Sequence, residues 1–451
     1  MHEGGPNEPI GSPTPVRLGE RIGALDVYRG LAVLTILLMN IDGFALPFEA
    51  MNHPFNAGVR GWLDEWTCIV LLFGFEGTAR GAFGLLFGAG VILLTSRLEA
   101  KGKDAADIHL RRNMWLIVFG LVHAYALLWF WDILYFYGVT GVFLYVFRKL
   151  RPRTLCVWAG VAALPLIVPS SLQLAEDLET QDRAIVLLER SELGETLTQG
   201  ERETLDAWHD TRDYDADPDE YRELVERYRG GYGGIWVGQA GTVFKGQTQE
   251  LMLWGIWDGA VFMLTGMALF KLGVLTGARS TRFYLTMALV CYALAAPSRS
   301  FTTWLEVSRF DEPAIESWGW VLYQPGRLAM TLGHAALVML FVRFFGRGLL
   351  AYLLAACGRM ALTNYVAQTV VCTWLFWGFG LGWFDSINRF GLLGVILAVW
   401  TAQLVWSPIW LAAFRFGPLE WAWRSLTYWR LQPILRERAR PAEPPPPEHA
   451  G

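Results

Sequence analysis

Residues 25–40 read Leu25-Asp26-Val27-Tyr28-Arg29-Gly30-Leu31-Ala32-Val33-Leu34-Thr35-Ile36-Leu37-Leu38-Met39-Asn40, and the apolar run continues to Phe48. A run of this length predicts a membrane-crossing helix, since about 20 apolar residues span the hydrocarbon core. Its polar groups predict more than an anchor, because ionisable and amide side chains are costly inside a bilayer and usually mark a site. Arg29 and Asn40 are eleven positions apart. At ~100° and 1.5 Å per residue they project from one helix face about 16 Å from each other.

Similar runs recur along the chain. They predict an all-α polytopic membrane bundle of about ten crossings, at 30–48, 78–96, 113–131, 132–147, 154–172, 251–273, 282–297, 321–345, 360–380 and 391–413. The composition agrees: 53% of the 451 residues are hydrophobic and 22 are Trp, too apolar for an ordinary soluble domain. No basic arm or nucleic-acid motif is present, so nucleic acid is excluded as a partner and the lipid bilayer takes its place. The five cysteines all sit in or beside apolar runs without a CxxC pair, so they read as packing residues and predict no metal or disulfide framework. Residues 31–48 are longer than a typical signal-peptide core and lack a clear cleavage site after them, so they are expected to stay as an anchor.

Alternate loops carry the basic residues: Arg17 and Arg21, then Arg97–Arg112, Arg148–Arg153, Lys271–Arg282, Arg343–Arg359 and Arg415–Arg430. The positive-inside rule then places both termini in the cytoplasm. This holds only if 62–75 is an interfacial or re-entrant helix broken at Glu76-Gly77 and Arg80-Gly81, since a full crossing there would invert everything after it. Five domains follow: a disordered tail at 1–16, a transmembrane half at 17–172, an extracytoplasmic insertion at 173–250, a second transmembrane half at 251–430, and a Pro-rich tail at 431–451.

The insertion is acidic and helix-permissive, with 18 acidic against 7 basic side chains between Ala175 and Gly230. Its alternating Asp213, Asp215, Asp217 and Asp219 lack the Gly and Glu of a calcium loop, and read as a solvated helix. Gly230–Gly241 lacks the Lys-Ser/Thr of a phosphate loop and reads as a flexible connector.

Several polar residues fall within the predicted spans. Arg29 at the mouth can hold phosphates bidentately or snorkel to headgroups. Asn40 can donate to a carbonyl or developing oxyanion, or bond a neighbouring helix. His123 and His334, each near mid-span, can act as acid–base groups or as interhelical glue. His53 lies in the outer loop, while His2, His109, His209 and His449 sit in polar or terminal settings and carry no functional weight. Asp132 is placed to cap the helix after it. Glu76 can pair with Arg80 at i,i+4. Asn364 and Gln368 form a polar stripe that must face protein or water, and Gly417-Pro418-Leu419-Glu420-Trp421 reads as a turn into a surface helix.

The segments Asp26-Val27-Tyr28-Arg29-Gly30 with Met39-Asn40, Phe75-Glu76-Gly77, Gly120-Leu121-Val122-His123 with Asp132, Gly358-Arg359-Met360-Ala361-Leu362-Thr363-Asn364-Tyr365 with Gln368, and Phe416-Gly417-Pro418-Leu419-Glu420-Trp421 together resemble the YeiB family of bacterial inner-membrane proteins. That family's opening motif is in turn similar to the wider transmembrane acyltransferase superfamily, which includes lysosomal heparan-glucosaminide N-acetyltransferase and bacterial polysaccharide O-acetyltransferases. In the former an Arg-x10-Asn spacing precedes a catalytic His. The resemblance implies active-site roles for Asn40 and His53, although His53 stands two residues beyond the pattern. The O-acetyltransferases carry His where this chain has Asn40, so the base is left to His53, His123 or His334.

The expectation is therefore a membrane acyltransferase. Acyl-CoA (acetyl-CoA) would serve as co-substrate, held near Asp26, Arg29 and Arg359, and the acceptor would be an envelope glycan or lipid. The competing reading is a small-molecule transporter using the same His, Asn and Arg groups as a path, against which no inverted repeat with paired broken helices is visible. A third is a scaffold in which polar groups only join helices, which leaves Arg29-x10-Asn40 unexplained. The oligomeric state is left open, a homodimer included.

Overall fold

Hydrocarbon offers no partner to a backbone amide or carbonyl, so each apolar run must bond its own backbone, and helices do so. The computed structural model describes residues 18–47, 58–210, 218–308 and 313–436. Its elements are α1 (Leu18–Ala45), α2 (Trp62–Gly74), α3 (Thr78–Glu99), α4 (Ala105–Tyr125), α5 (Ile133–Leu144), α6 (Pro152–Glu192), α7 (Gln199–Asp210), α8 (Pro218–Arg229), α9 (Tyr232–Lys245), α10 (Ile256–Lys271), α11 (Thr281–Ser308), α12 (Pro313–Phe345), α13 (Leu349–Arg359), α14 (Ala361–Phe376), α15 (Arg389–Ala413) and α16 (Pro418–Tyr428). The chain is an all-α, multi-pass membrane protein. Among the described residues the sole β pairing is an isolated bridge between Phe414 and Leu435.

Among the described residues, six helical segments are long and apolar enough to cross a membrane, or seven if α13 and α14, bent by 82° at their junction, count as one. The expected ten is not reached by this measure. The predicted span 132–147 becomes a 12-residue helix, α5, about 18 Å long at 1.5 Å per residue, that runs on directly into a short 3-10 stretch at Tyr145–Lys149. The span 113–131 ends early at Tyr125, giving way to a buried turn in which Leu128 has φ 60° and Trp129 stacks on Phe44 at 3.9 Å. The apolar part of α11 lies between Arg282 and the buried Arg299. Residues 62–75 do form a separate helix, α2, and the expected break follows at Phe75–Gly77, where Gly77 has φ +68°. No second break occurs at Arg80-Gly81, which is helical.

Helix α1 runs through the centre of the bundle, buried along most of its length and packed against α3, α13, α14 and α15. Its crossing with α13 is set by small residues. A Cβ on Gly30 would overlap the Leu354 carbonyl oxygen, and one on Gly358 would overlap the Asp26 carbonyl oxygen. Such backbone-to-backbone approach is the usual way for membrane helices to gain packing.

The basic loops gather at one end of the bundle, called here the Arg29 end. Arg148 Nε pairs with Glu99 at 3.1 Å, Lys271 Nζ donates to the carbonyls of Arg148 and Leu150 at 2.6 and 2.7 Å, and Arg343 donates to the Arg279 carbonyl at 2.8 Å. At the other end, Arg389 forms a buried ion pair with Asp42 of α1. Asp64 of α2 is buried and accepts from Asn388 and from the Phe390 amide, both at 2.8 Å.

Residues 173–250 are built on two long helical segments. Helix α6 has 41 residues and passes through position 172 without a break. Gly230–Gly241, expected to be a flexible connector, is mostly helix: α9 continues through π turns at Gly246–Gly255 into α10. The reason is a four-residue spacing of buried positions. Ile235, Gln239 and Val243 bury one face, while Gly233, Gly234 and Gly241 point into open space. Helix α8 docks on the 377–388 turn: Arg229 donates to the Phe384 carbonyl at 3.0 and 2.7 Å, the Gly378 amide donates to the Tyr228 carbonyl at 2.8 Å, and Tyr221 donates to Asp385 at 2.9 Å. Asp213, Asp215 and Asp217 lie outside the described residues; Asp219 pairs with Arg222 at 2.9 Å.

At the far corner, α7 begins with a capping box. Thr198 N donates to Glu201 at 2.7 Å and Glu201 N donates back to Thr198 Oγ1 at 3.4 Å. These bonds, with Arg190 at 2.6 Å, hold the Glu201 carboxyl down at about 2, against 4.5 ordinarily. A carboxyl depressed on folding stabilises above its unfolded pKa and loses that contribution as pH falls through the folded value. Amide exchange in α7 should therefore accelerate as pH drops from about 4.5 towards about 2, after correction for intrinsic exchange. Glu201→Gln should abolish that acceleration.

Candidate functional site

The site is built around the two ends of the polar stripe on α1. At the Arg29 end, Arg29 Nη1 bonds Asp26 Oδ1 at 2.8 Å, one turn back on the same face. The Gly30–Gly358 crossing brings the start of α1 against the end of α13, so Arg359 comes within electrostatic reach of Asp26. Arg112, at the start of the apolar part of α4, is likewise in reach of Arg29 and of Arg424 on α16, and its guanidinium stacks 4.6 Å over Trp423. Two guanidiniums, those of Arg29 and Arg359, thus face the Asp26 carboxylate, and Arg112 links Arg29 to Arg424, so that four helices contribute positive charge at this end, an arrangement suited to a polyanion. Beside them Glu420 caps α14, accepting from Leu362 N at 2.6 Å, Thr363 N at 3.1 Å and Thr363 Oγ1 at 2.5 Å. Burial pushes the Glu420 carboxyl up despite these donors.

Deeper in the bundle, His123 Nδ1 meets Asp132 Oδ1 at 2.7 Å and its Nε2 meets Thr369 Oγ1 at 2.8 Å. The ring sits edge-on to Tyr365 at 5.1 Å. His123, Asp132 and Thr369 are all buried. Asp132 also caps α5, accepting from Tyr135 N at 2.7 Å, so its geometry is fixed from two sides. A carboxylate holding one imidazole nitrogen, with a hydroxyl on the other, fixes the ring in an orientation that can serve acid–base chemistry.

Helix α14 and the residue that caps its end also bond to α1. Gln368, adjacent to Thr369, donates to the Val33 carbonyl at 2.9 Å, and Trp377 Nε1 donates to the Phe44 carbonyl at 3.0 Å. Half-buried Asn40 lies on α1 between these two contacts. The predicted polar stripe on α14 faces protein throughout: Asn364 donates to Ser407 Oγ at 3.0 Å and Gln368 to Gln403 at 3.1 Å.

The family model described as "Protein of unknown function (DUF418)" matches residues 269–430. The uncharacterized protein YeiB of Escherichia coli (strain K12) is 31% identical over 433 residues, covering 93% of this chain and 100% of that one. The chain belongs to the YeiB family. The uncharacterized protein YxaH of Bacillus subtilis (strain 168) is similar over a comparable extent, 28% identical across 94% of this chain and 98% of its own. No solved structure matches.

Except for Phe75-Glu76-Gly77, the segments that resemble the YeiB family meet in space. Asp26-Val27-Tyr28-Arg29-Gly30 abuts Gly358-Arg359, Glu420 caps the helix that starts at Ala361, and His123 joins Asp132. Other predicted site residues go elsewhere. His334 packs between Phe75 at 5.8 Å and Tyr292 at 5.7 Å. His53 lies outside the described residues. Glu76 takes Arg299 as its ion-pair partner at 3.2 Å, while Arg80, its expected i,i+4 partner, pairs with Asp258 at 3.5 Å. Thr369, Arg112 and the buried charges Asp42, Asp258, Arg299, Arg327 and Arg389 were not predicted as site residues. The last five are legible in principle as single charges within or beside apolar runs.

Proposed function

We propose that this YeiB-family chain is a membrane-embedded acyltransferase, moving an acetyl or other acyl group from acyl-CoA to an envelope or extracytoplasmic acceptor. The observation that carries the reading is the buried Asp132–His123–Thr369 chain, an imidazole oriented from behind by a carboxylate. In this reading the Arg29 end faces the cytoplasm of a bacterial inner membrane, as the gathered basic loops support. Arg29, Arg112, Arg359 and Arg424 hold the phosphates of the CoA moiety. The acceptor's hydroxyl or amine attacks the thioester carbonyl, and His123 Nε2, released from Thr369, takes its proton. Asn40 donates to the developing oxyanion, the carbon–sulfur bond breaks, and the imidazolium returns the proton to the departing thiolate.

Purified protein in nanodiscs should bind radiolabelled acetyl-CoA and pass label to an envelope extract. Arg29→Ala and Arg359→Ala should each weaken binding roughly tenfold or more, the weight of a charge-assisted contact. Absence of binding by the wild type sinks the reading. Uptake of a solute into sealed liposomes without acyl donor would assign the same residues to transport.

A further inference from the structure

Past the last apolar span the chain displays an apolar strip on the outside of the Arg29 end. Helix α16 ends at Tyr428, and Trp429 caps it with φ 51°. The residues that follow run along the end of α15. Arg415 N donates to the Ile434 carbonyl at 2.8 Å, Arg436 N donates to the Ala413 carbonyl at 3.1 Å, and Phe414 bridges Leu435. On the α16 side, Trp421 Nε1 donates to the Gln432 carbonyl at 2.7 Å and Gln432 N donates to Ser425 Oγ at 3.2 Å. The stretch is therefore held in place by two elements.

Exposure along it alternates with the two-residue period of an extended chain. Trp429, Leu431 and Leu435 are 72%, 76% and 64% exposed, with Pro433 exposed between them, while Gln432 and Ile434 are half-buried. Trp429 is notable for its backbone. A bulky side chain is disfavoured at a positive φ, yet this one sits there with its ring largely outside the protein, 5.7 Å from the Arg111 guanidinium. The strip is also edged with positive charge. From Arg415 to Arg436 the chain has four arginines and one carboxylate, and that carboxylate, Glu420, is occupied in capping α14. Arg430 and Arg436 are exposed, and their guanidiniums have no ion-pair partner among the described residues.

Depth follows from helix rise. Helix α15 has 25 residues, about 37 Å at 1.5 Å per residue, which exceeds a hydrocarbon core of about 30 Å. The strip is bonded to the last residue of α15, so it lies at headgroup level. We propose that Trp429, Leu431 and Leu435 insert into the leaflet at the Arg29 end, and that Arg430 and Arg436 hold the phosphates of anionic phospholipids there. Aromatic and leucine side chains suit the boundary between headgroups and acyl chains, and guanidiniums take phosphate bidentately. A zwitterionic headgroup brings a cation back to the same arginines and is held less well. The contact seats α16, which caps α14 and carries Arg424, against the bilayer. It stands independently of the acyltransferase reading.

The test uses full-length protein in phosphatidylcholine nanodiscs containing a trace of phosphatidylglycerol, or of phosphatidylcholine, with a photoreactive acyl chain. After illumination, peptide mapping should find adducts on residues 429–435, with phosphatidylglycerol exceeding phosphatidylcholine roughly tenfold. Each basic residue beside an anionic lipid surface is worth about fivefold, so Arg430→Gln with Arg436→Gln should lower that excess roughly tenfold or more. Trp429→Gly should reduce adducts on 431–435 severalfold without lowering the melting temperature, because glycine adopts a positive φ freely. A strip covered by a second copy of the chain or by residues 437–451 would give no lipid adducts, and that result overturns the proposal. Equal labelling by the two lipids, or labelling unchanged in both variants, overturns it as well. The assay contains no acyl-CoA, so its failure is distinct from failure of the transfer assay.

Discussion

His123→Ala should lower acyl transfer by roughly 10²- to 10⁴-fold, the usual weight of a positioned general base, while leaving acetyl-CoA binding within about twofold of wild type. The split follows from position. His123 is bonded to Asp132 and Thr369 inside the bundle, and the arginines proposed to hold the phosphates belong to the Arg29 end. Asp132→Asn should fall between wild type and His123→Ala, because an amide can hold the ring but does not stabilise the imidazolium. Thr369→Val should retain transfer, since the hydroxyl gives way to the acceptor. Steady-state transfer and equilibrium binding on the same preparations check all three. Transfer by His123→Ala at the wild-type rate would remove His123 from the chemistry.

Gly30→Leu should yield little or no folded protein, and Gly30→Ala should lower stability by about 1–3 kcal/mol or more, the range for an overpacked contact. The Leu354 carbonyl occupies the space a Cβ would need, and Gly358 is in the same relation to Asp26. Because the clash is with backbone, no rotamer change relieves it, and α1 and α13 must move apart. That separation would also dismantle the approach of Arg359 to Asp26. Yield of monodisperse protein and thermal unfolding in detergent report the first effect, and acetyl-CoA affinity of Gly30→Ala reports the second. A Gly30→Leu protein with the wild-type melting temperature would show that the crossing is not tight in solution.

How much of this was legible in the sequence differs by element. Helix α1 was, because a long apolar run bounded by polar residues has one reading in a membrane. His123 and Asp132 were each visible, yet their pairing depends on the turn at Leu128–Trp131, whose buried course composition does not convey. The ion pairs Asp42–Arg389 and Glu76–Arg299 join residues 347 and 223 positions apart, and local charge patterning favours the nearer partner, as it did for Glu76 with Arg80. Helix α9 was misread because its glycines suggested a linker. The deciding signal was the four-residue spacing of Ile235, Gln239 and Val243. The roles of Gly30 and Gly358 were hidden for a related reason: small residues announce close approach without naming the partner.

The docking of α8 has a bearing on α1. Tyr228 and Arg229 hold the 377–388 turn, and the Asp385 amide in that turn donates to the Ala45 carbonyl at 2.7 Å, the last residue of α1. The central helix is thus held near its middle by α13 at Gly30 and, through one intervening turn, at its end by the insertion at Ala45. Occupancy at the Arg29 end and seating of the insertion are then two loads on a single rod. By reciprocal linkage, a ligand that shifts α1 must change the protection of α8 by the same free energy with which α8 docking changes that ligand's affinity.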